Sequence, residues 1–264
     1  MNIKWLPLYF TVLLLPFVGQ ASQVPSIAAA SSLQFALPEV LAEFKQQTGH
    51  SVRATFGSSG NFRRQIIQGA SFELFLSANE LYVNALVDRG LTIDSGVIYV
   101  QGRIALVVPK NSQIKPGDNL SGLSLALDNN KITRFAIANP NHAPYGRAAR
   151  EALKTYGLWN AIQSFIVKGE NASQATQFAV SGSTQGGIVP YALAISPIIA
   201  ESNQVVLIPQ SSHQPIGQRM VLLKGAGDVA SQLYDFINGA RAQAIFTQFG
   251  YESQSLSQPQ PMSQ

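Results

Sequence analysis

Residues Ser26 to Gly49 read SIAAASSLQFALPEVLAEFKQQTG, and this stretch sets the reading of the whole chain. Ser26 to Ala30 is a short apolar run of strand length. Leu33, Leu37, Val40, Leu41 and Phe44 then recur at the 3.6-residue spacing of one helix face. Gly49 stands where a helix takes a left-handed stop. Pro38 conflicts with a helix interior and points to a kink or a late start. The unit is therefore strand, small polar turn (Ala30-Ser31-Ser32), helix.

The same unit recurs downstream. Val52–Phe56 and Leu74–Leu76 read as strands, each followed by a short helix that closes at Gly69 or Gly90. Val97–Val100 and Ile104–Val108 form an extended apolar stretch broken by Gly102, and a polar segment runs from Pro109 to Asn119. Phe135–Ala138, Val205–Ile208 and Met220–Leu223 read as strands, and Gly187–Val189 leads into an apolar run at Ala192–Ala200. Ala148–Tyr156, Ala172–Val180, Asp228–Ile237 and Ala240–Phe249 read as helices. This alternation predicts an α/β protein with mostly parallel strands. Two regions of alternation, each of about 110 residues, fit two lobes better than one sheet.

The two ends read differently. Residues 1–21, MNIKWLPLYFTVLLLPFVGQA, place Lys4 before an apolar run from Leu6 to Val18 and small residues at Gly19 and Ala21. That is the pattern of a secretory signal peptide cleaved after Ala21. The run falls short of the ~20 residues of a membrane span, and Pro7 and Pro16 interrupt it. The tail 253–264 is almost entirely Ser, Gln and Pro and lacks the apolar content to fold.

Composition narrows the chemistry. The chain of 264 residues has no Cys and three His (His50, His142, His213), which excludes disulfides and thiolate sites and argues against a histidine metal cluster. Charged residues make up 12%, and the formal charge of +4 is scattered without a basic run, so no nucleic-acid partner is expected.

Four strand ends break into small-polar turns at helix starts: Ala30-Ser31-Ser32, Phe56-Gly57-Ser58-Ser59-Gly60-Asn61, Asn139 to Gly146, and Gly169-Glu170-Asn171-Ala172. In open α/β sheets ligands sit at the carboxyl ends of strands. A helix N-terminus offers unpaired N–H groups and partial positive charge. One Ser at such a place is ordinary capping. Four together point to an oxyanion site that needs no Lys or Arg. Arg63, Arg64, Arg147 and Arg150 lie near these helix starts, as steering charges or as solvated helix faces.

Several motifs carry a resemblance. They are Ala28-Ala29-Ala30-Ser31, Phe56-Gly57-Ser58-Ser59 with Arg64-Gln65-Ile66, Leu74 to Ala78, Ile137-Ala138-Asn139-Pro140, Ala143-Pro144-Tyr145-Gly146, Gly157-Leu158-Trp159, Gly187-Ile188-Val189, and Ala244-Ile245-Phe246 to Phe249-Gly250-Tyr251. Together they resemble the periplasmic molybdate-binding proteins of ABC importers over about Ser26 to Tyr251. The resemblance implies a type II two-lobed binding protein, with mixed sheets flanked by helices and a two-strand hinge near Ile104–Val108 and Met220–Leu223. Lobe 1 would hold 22–103 and 215–264, and lobe 2 would hold 104–214. The protein would be a periplasmic monomer without a cofactor or catalysis. It would bind molybdate or tungstate and dock on a membrane permease.

Carried over residue by residue, Ser31 and Ser59 would donate from lobe 1, and Tyr145 and Ala172 mainly through backbone N–H groups from lobe 2. Ser32 is a weaker candidate. Some family members donate a Tyr hydroxyl just after Gly-Ile-Val; here Pro190 holds that place, and Tyr191 follows as a substitute or a packing residue. Trp159 would pack behind the cleft. Two alternatives stand beside this reading. One is another tetrahedral oxyanion such as sulfate. The other is a secreted serine hydrolase using Ser59 with His142 or His213 as base, although Asn61 stands where G-x-S-x-G needs Gly.

Overall fold

The computed structural model describes residues 24–253. The expected signal peptide and the tail beyond Ser253 lie outside the described residues.

In chain order, β1 (Ser26–Ala30) leads through a 3-10 turn (Ser31–Leu33) into α1 (Ala36–Thr48), β2 (Arg53–Gly57) into α2 (Ser59–Ile67), and β3 (Leu74–Ser77) into α3 (Glu80–Val87). Next come β4 (Val97–Gly102), β5 (Ile104–Pro109), α4 (Ser121–Asp128), β6 (Phe135–Ala138), α5 (Pro144–Thr155) and α6 (Trp159–Ile162). Then follow β7 (Ile166–Gly169), α7 (Ala172–Val180), β8 (Gly187–Pro190), α8 (Tyr191–Ala194), α9 (Pro197–Ala200) and β9 (Asn203–Leu207). The chain closes with β10 (Ile216–Leu222), α10 (Asp228–Asn238), α11 (Ala240–Gln248) and β11 (Glu252–Ser253).

The strands form two sheets, in the orders β11-β4-β10-β3-β1-β2 and β7-β6-β8-β5-β9. Each sheet has one parallel core, β2-β1-β3 or β7-β6-β8. An antiparallel strand abuts each core: β10 on β3, and β5 on β8. The two halves thus repeat one topology. The chain leaves the first sheet between Gly102 and Ile104 and returns to it between Leu207 and Ile216. These crossings correct the expectation of mostly parallel strands. Five of the nine pairings are antiparallel, because each sheet takes in strands that arrive from the other side.

The central strands are apolar without alternation because helices cover both faces. β3, β5 and β6 are buried throughout. Phe44 of α1, Phe246 of α11 and Tyr99 of β4 fill the main core, where Tyr99 and Phe246 pack at 5.5 Å between ring centroids. Trp159 is half-buried against that same core.

Local differences from the sequence reading have identifiable causes. Pro38 falls in the first turn of α1, where no N–H is required, so the helix starts late and does not kink. That helix does end at Gly49 in the left-handed region (φ 77). α5 begins at Pro144, four residues earlier than its apolar pattern, because Pro is pre-set for a first helical position. The apolar run 192–200 splits into α8 and α9 at Ser196, the residue before Pro197. α4 and β7 are short elements that the periodicity did not reveal.

Candidate functional site

All four turns meet at one small cavity. Its walls are Ala30, Ser31 and Ser32 after β1; Gly57, Ser58 and Ser59 after β2; Ala143, Pro144 and Tyr145 after β6; and Ala172 after β7, with Ala78 from the end of β3. The parallel-core topology explains the convergence. β1 and β6 are the central strands of their cores and β2 and β7 the outer ones, so equivalent ends face each other across the cleft. No charged side chain lines the cavity. Three helices of eight or more residues, α2, α5 and α7, point their N-termini at it. The space open to the centre of a water-sized sphere is ≈ 10 Å³, so the walls nearly touch.

The hydrogen bonds decide what the wall can do. Ser31 Oγ accepts from Ala172 N at 3.0 Å and from Ser173 N at 3.4 Å, across the cleft. Ser59 Oγ accepts from Ala78 N at 3.0 Å. Tyr145 Oη accepts from Gln218 Nε2 at 2.8 Å, and Ser32 Oγ from the same nitrogen at 3.4 Å. Each of these oxygens already accepts at least one N–H, two in the case of Ser31, and each hydroxyl keeps its O–H to donate. The N–H groups of Ser59 and Tyr145, in the first turns of α2 and α5, have no protein acceptor. The wall offers hydroxyl and N–H donors and no carboxylate.

Burial keeps these donors neutral. The Tyr145 hydroxyl is pushed up to about 12 by burial, against the lowering effect of hydrogen bonds with Ser32, Gln218 and Tyr251. Burial likewise raises the Tyr99 and Tyr251 hydroxyls. Tyr145 contributes more than the backbone N–H expected of it. Its side chain is 2% exposed, and its hydroxyl rests where a Cβ on Gly102 would overlap it, so only Gly fits there.

The rim is held across the cleft. Ser58 Oγ donates to His142 O at 2.7 Å and lies 2.9 Å from His142 Nδ1, while Gly60 N donates to His142 O at 3.1 Å. Asn61 Nδ2 donates to Glu170 Oε1 at 2.6 Å, and His142 Nε2 lies 3.6 Å from Glu170 Oε2. The arginines near the helix starts take two roles. Arg63 and Arg147 both stack on the Tyr82 ring, at 5.3 and 5.2 Å, while Arg64 bonds Asn61.

Tyr191 does not line the cavity. Its N–H donates to Arg103 O at 2.8 Å, and its ring packs beside Gly250. No His reaches Ser59, whose hydroxyl bonds Ala78 N. His213 bonds Gln214 O through Nδ1 at 2.7 Å, and burial lowers its pKa. Sequence reasoning missed Ser58 as a rim residue and Gln218 as the buried partner of the wall. The signal for Gln218 was a lone amide between Ile216 and the apolar run Met220–Leu223, inside a strand read as starting only at Met220. Among the described residues no group of three or more His, Cys, Asp or Glu could hold a metal ion, and no helix is long and apolar enough to cross a membrane.

Comparison with known proteins agrees with this architecture. Residues 25–252 match the family model described as bacterial extracellular solute-binding protein. The molybdate-binding protein ModA of Rhodobacter capsulatus is 35% identical over 85% of this chain and 87% of its own. ModA of Azotobacter vinelandii is 32% identical over 90% of this chain and 93% of its own. The solved periplasmic molybdate-binding protein of Azotobacter vinelandii superposes with a TM-score of 0.78 at 28% identity, covering 86% of this chain and 98% of that one. These relatives are binding proteins, not enzymes, and neither the hydrolase nor the sulfate alternative is favoured. The chain belongs to the bacterial extracellular solute-binding protein family.

Proposed function

We propose that the protein binds molybdate, and tungstate by the same contacts, in the cleft between two lobes and delivers it to the membrane permease of an ABC importer. The observation that carries this reading is the cavity rich in neutral donors, built by four strand-end turns from both sheets with no charged side chain in its wall. A fully deprotonated dianion can accept from every group there. Its charge is met by helix N-termini and hydroxyls rather than by a cation.

Ser31, Ser59 and Tyr145 donate through hydroxyls. Ser59, Tyr145 and Ala172 also donate through backbone N–H groups, and Ser32 stands by the Tyr145 hydroxyl. Because the closed walls leave room for about one water, the anion enters as they part. Whichever of the Ala172 and Ser173 N–H groups stays on Ser31, its O–H remains a donor. Tyr191 packs at the lobe junction.

The lobes are 22–103 with 215–264, and 104–214, hinged where the chain crosses between the sheets. The protein acts in the periplasm as a monomer after cleavage behind Ala21. It needs no cofactor, because binding and release require no bond chemistry. Size separates sulfate: fixed donors cannot all reach a smaller anion. Protonation separates hydrogen phosphate, whose proton finds no carboxylate in the wall.

The test is a calorimetric titration of residues 22–264 with molybdate, tungstate, sulfate and phosphate. Tight binding of the first two, with little response to the others, is expected. Silence toward both oxometallates overturns the reading.

A further inference from the structure

Gln218 is 0% exposed and touches none of the space an anion would occupy, yet it holds two of the cavity hydroxyls. It lies on β10, paired with β4. The ladder shifts between Gln218 and Arg219, which pair with Val100 and Ile98 and leave Tyr99 as the unpaired residue of a bulge. Bulges beside functional sites re-aim side chains. Here Tyr99 Oη donates to Gln218 Oε1 at 3.0 Å. That hydroxyl has no other acceptor, so it fixes which end of the amide faces the cavity. Nε2 then donates to Tyr145 Oη and to Ser32 Oγ, one from each side of the cleft. Tyr251 Oη spends its own proton on Ser32 O at 2.7 Å.

Counting hydrogens gives the consequence. Tyr99 and Tyr251 have placed theirs, and the amide has placed both of its own. The protons of Tyr145 and Ser32 remain. These two hydroxyls can donate to each other in one direction only, and the other proton has the Tyr251 oxygen as its protein acceptor, for which a bound anion competes. The titratable groups facing Gln218 are Tyr99, Tyr145 and Tyr251, and burial keeps all three protonated.

We propose that Gln218 is a specificity-determining positioning residue: its amide, oriented by Tyr99, forces Tyr145 and Ser32 to present protons rather than lone pairs to the bound anion. The inference rests on the oxyanion reading of the cavity. A purely space-filling Gln would affect folding but not which protonation state of an oxyanion is accepted.

The experiment compares the native chain with Gln218→Met, Gln218→Glu and Tyr99→Phe by calorimetric titration with molybdate and with hydrogen phosphate, each preceded by a thermal melt. Gln218→Met frees both hydroxyls to accept. It should weaken molybdate by about tenfold or more and raise the relative affinity for hydrogen phosphate. Gln218→Glu keeps the shape. When ionised it accepts from both hydroxyls and turns their protons away, so molybdate binding should be lost at pH 8 and regained on lowering the pH, while the native chain stays flat. Tyr99→Phe, remote from the cavity, should weaken molybdate by a smaller factor through the loosened amide.

If the native chain ignores molybdate, the functional reading falls. If the native chain binds and folded Gln218→Met keeps native affinity and selectivity, or folded Gln218→Glu shows no pH dependence, the role of Gln218 falls alone. Should Gln218→Met fail to fold, the pH profile of Gln218→Glu and the affinity of Tyr99→Phe still decide.

Discussion

Replacing Gly60 by Ala should push ligand affinity and ligand-free stability in opposite directions. Gly60 is the second residue of α2 and faces His142 across the cleft. A Cβ there would lie 2.6 Å from His142 O, about 0.8 Å short of the 3.4 Å at which ordinary contact begins. Relief along that line stretches the Gly60 N to His142 O bond from 3.1 Å to about 3.9 Å, beyond hydrogen-bond range. The Ser58 bond to the same oxygen, now 2.7 Å, weakens with it. Losing two bonds at about 0.5–1.5 kcal/mol each comes to about 1–3 kcal/mol, or roughly 5- to 150-fold in affinity. With the lobes parted, as binding requires in this reading, that contact would be absent. There Ala is the better helix former by about 0.5–1 kcal/mol, so the ligand-free melting temperature should hold or rise by about 2–4 °C. Calorimetry with molybdate and a ligand-free melt on the same sample read both signs. Affinity within about twofold of native would show that closure does not bring Gly60 against His142. A clear fall in ligand-free melting temperature would show that the empty protein already rests closed.

Three further outcomes follow from the same geometry. Ser31→Ala strands the N–H group of Ala172 or Ser173 that stays on Ser31 as well as a ligand oxygen, and Ser59→Ala strands that of Ala78; each should weaken molybdate by about 10- to 100-fold in a titration, at about 1–3 kcal/mol per unpaired buried group. Ser58→Ala removes a hydroxyl whose proton is spent on His142 O rather than left for a ligand; it should cost about 2- to 10-fold in affinity and leave the molybdate-to-sulfate ratio unchanged. Folded-state pKa values raised above the ordinary 10.0, to about 12 for Tyr145 and Tyr234, mean the unfolded chain ionises first. This stability is therefore complete below pH 10 and is lost as pH climbs from 10 toward 12, which melts recorded against pH should show, while molybdate affinity stays level between about pH 6 and 9.

The strand-turn-helix reading of Ser26–Gly49 found the architecture because each layer is coded locally. Strand runs buried on both faces are apolar throughout, and helix ends carry Gly at the stop. The site was legible for the same reason, since each of its four turns is a contiguous small-polar break after a strand. What escaped was non-local. That β10 lies antiparallel on β3 depends on where the chain crosses between sheets, which no window of sequence records. Tyr145 reads as one Tyr at a helix start. Its hydroxyl matters only because Gly102 and Gln218, distant in sequence, leave it a slot and a donor. The rim contact of Ser58 with His142 spans 84 positions and has no sequence signature.

Neutral donors explain how such a site can discriminate among anions of similar charge. A lysine in the wall would attract every anion over several ångströms, protonated or not, and would raise affinity more than selectivity. A shell of hydroxyl and N–H donors acts only at contact. It also penalises any ligand hydrogen pointed at it, by about 1–3 kcal/mol for each buried group left unpaired. The scheme fails if one acceptor can swing in. The carboxylate beside the cavity's edge is Glu170, two residues from Ala172. It is not free: Asn61 Nδ2 donates to one oxygen at 2.6 Å and His142 lies 3.6 Å from the other. Glu170 and His142 belong to the same lobe, while Asn61 reaches across from α2, so the Asn61 bond to Glu170 forms only when the two sides meet. The Asn61 bond that helps close the rim therefore also engages the carboxylate at the cavity's edge, so closure and the handling of a protonated anion share a contact.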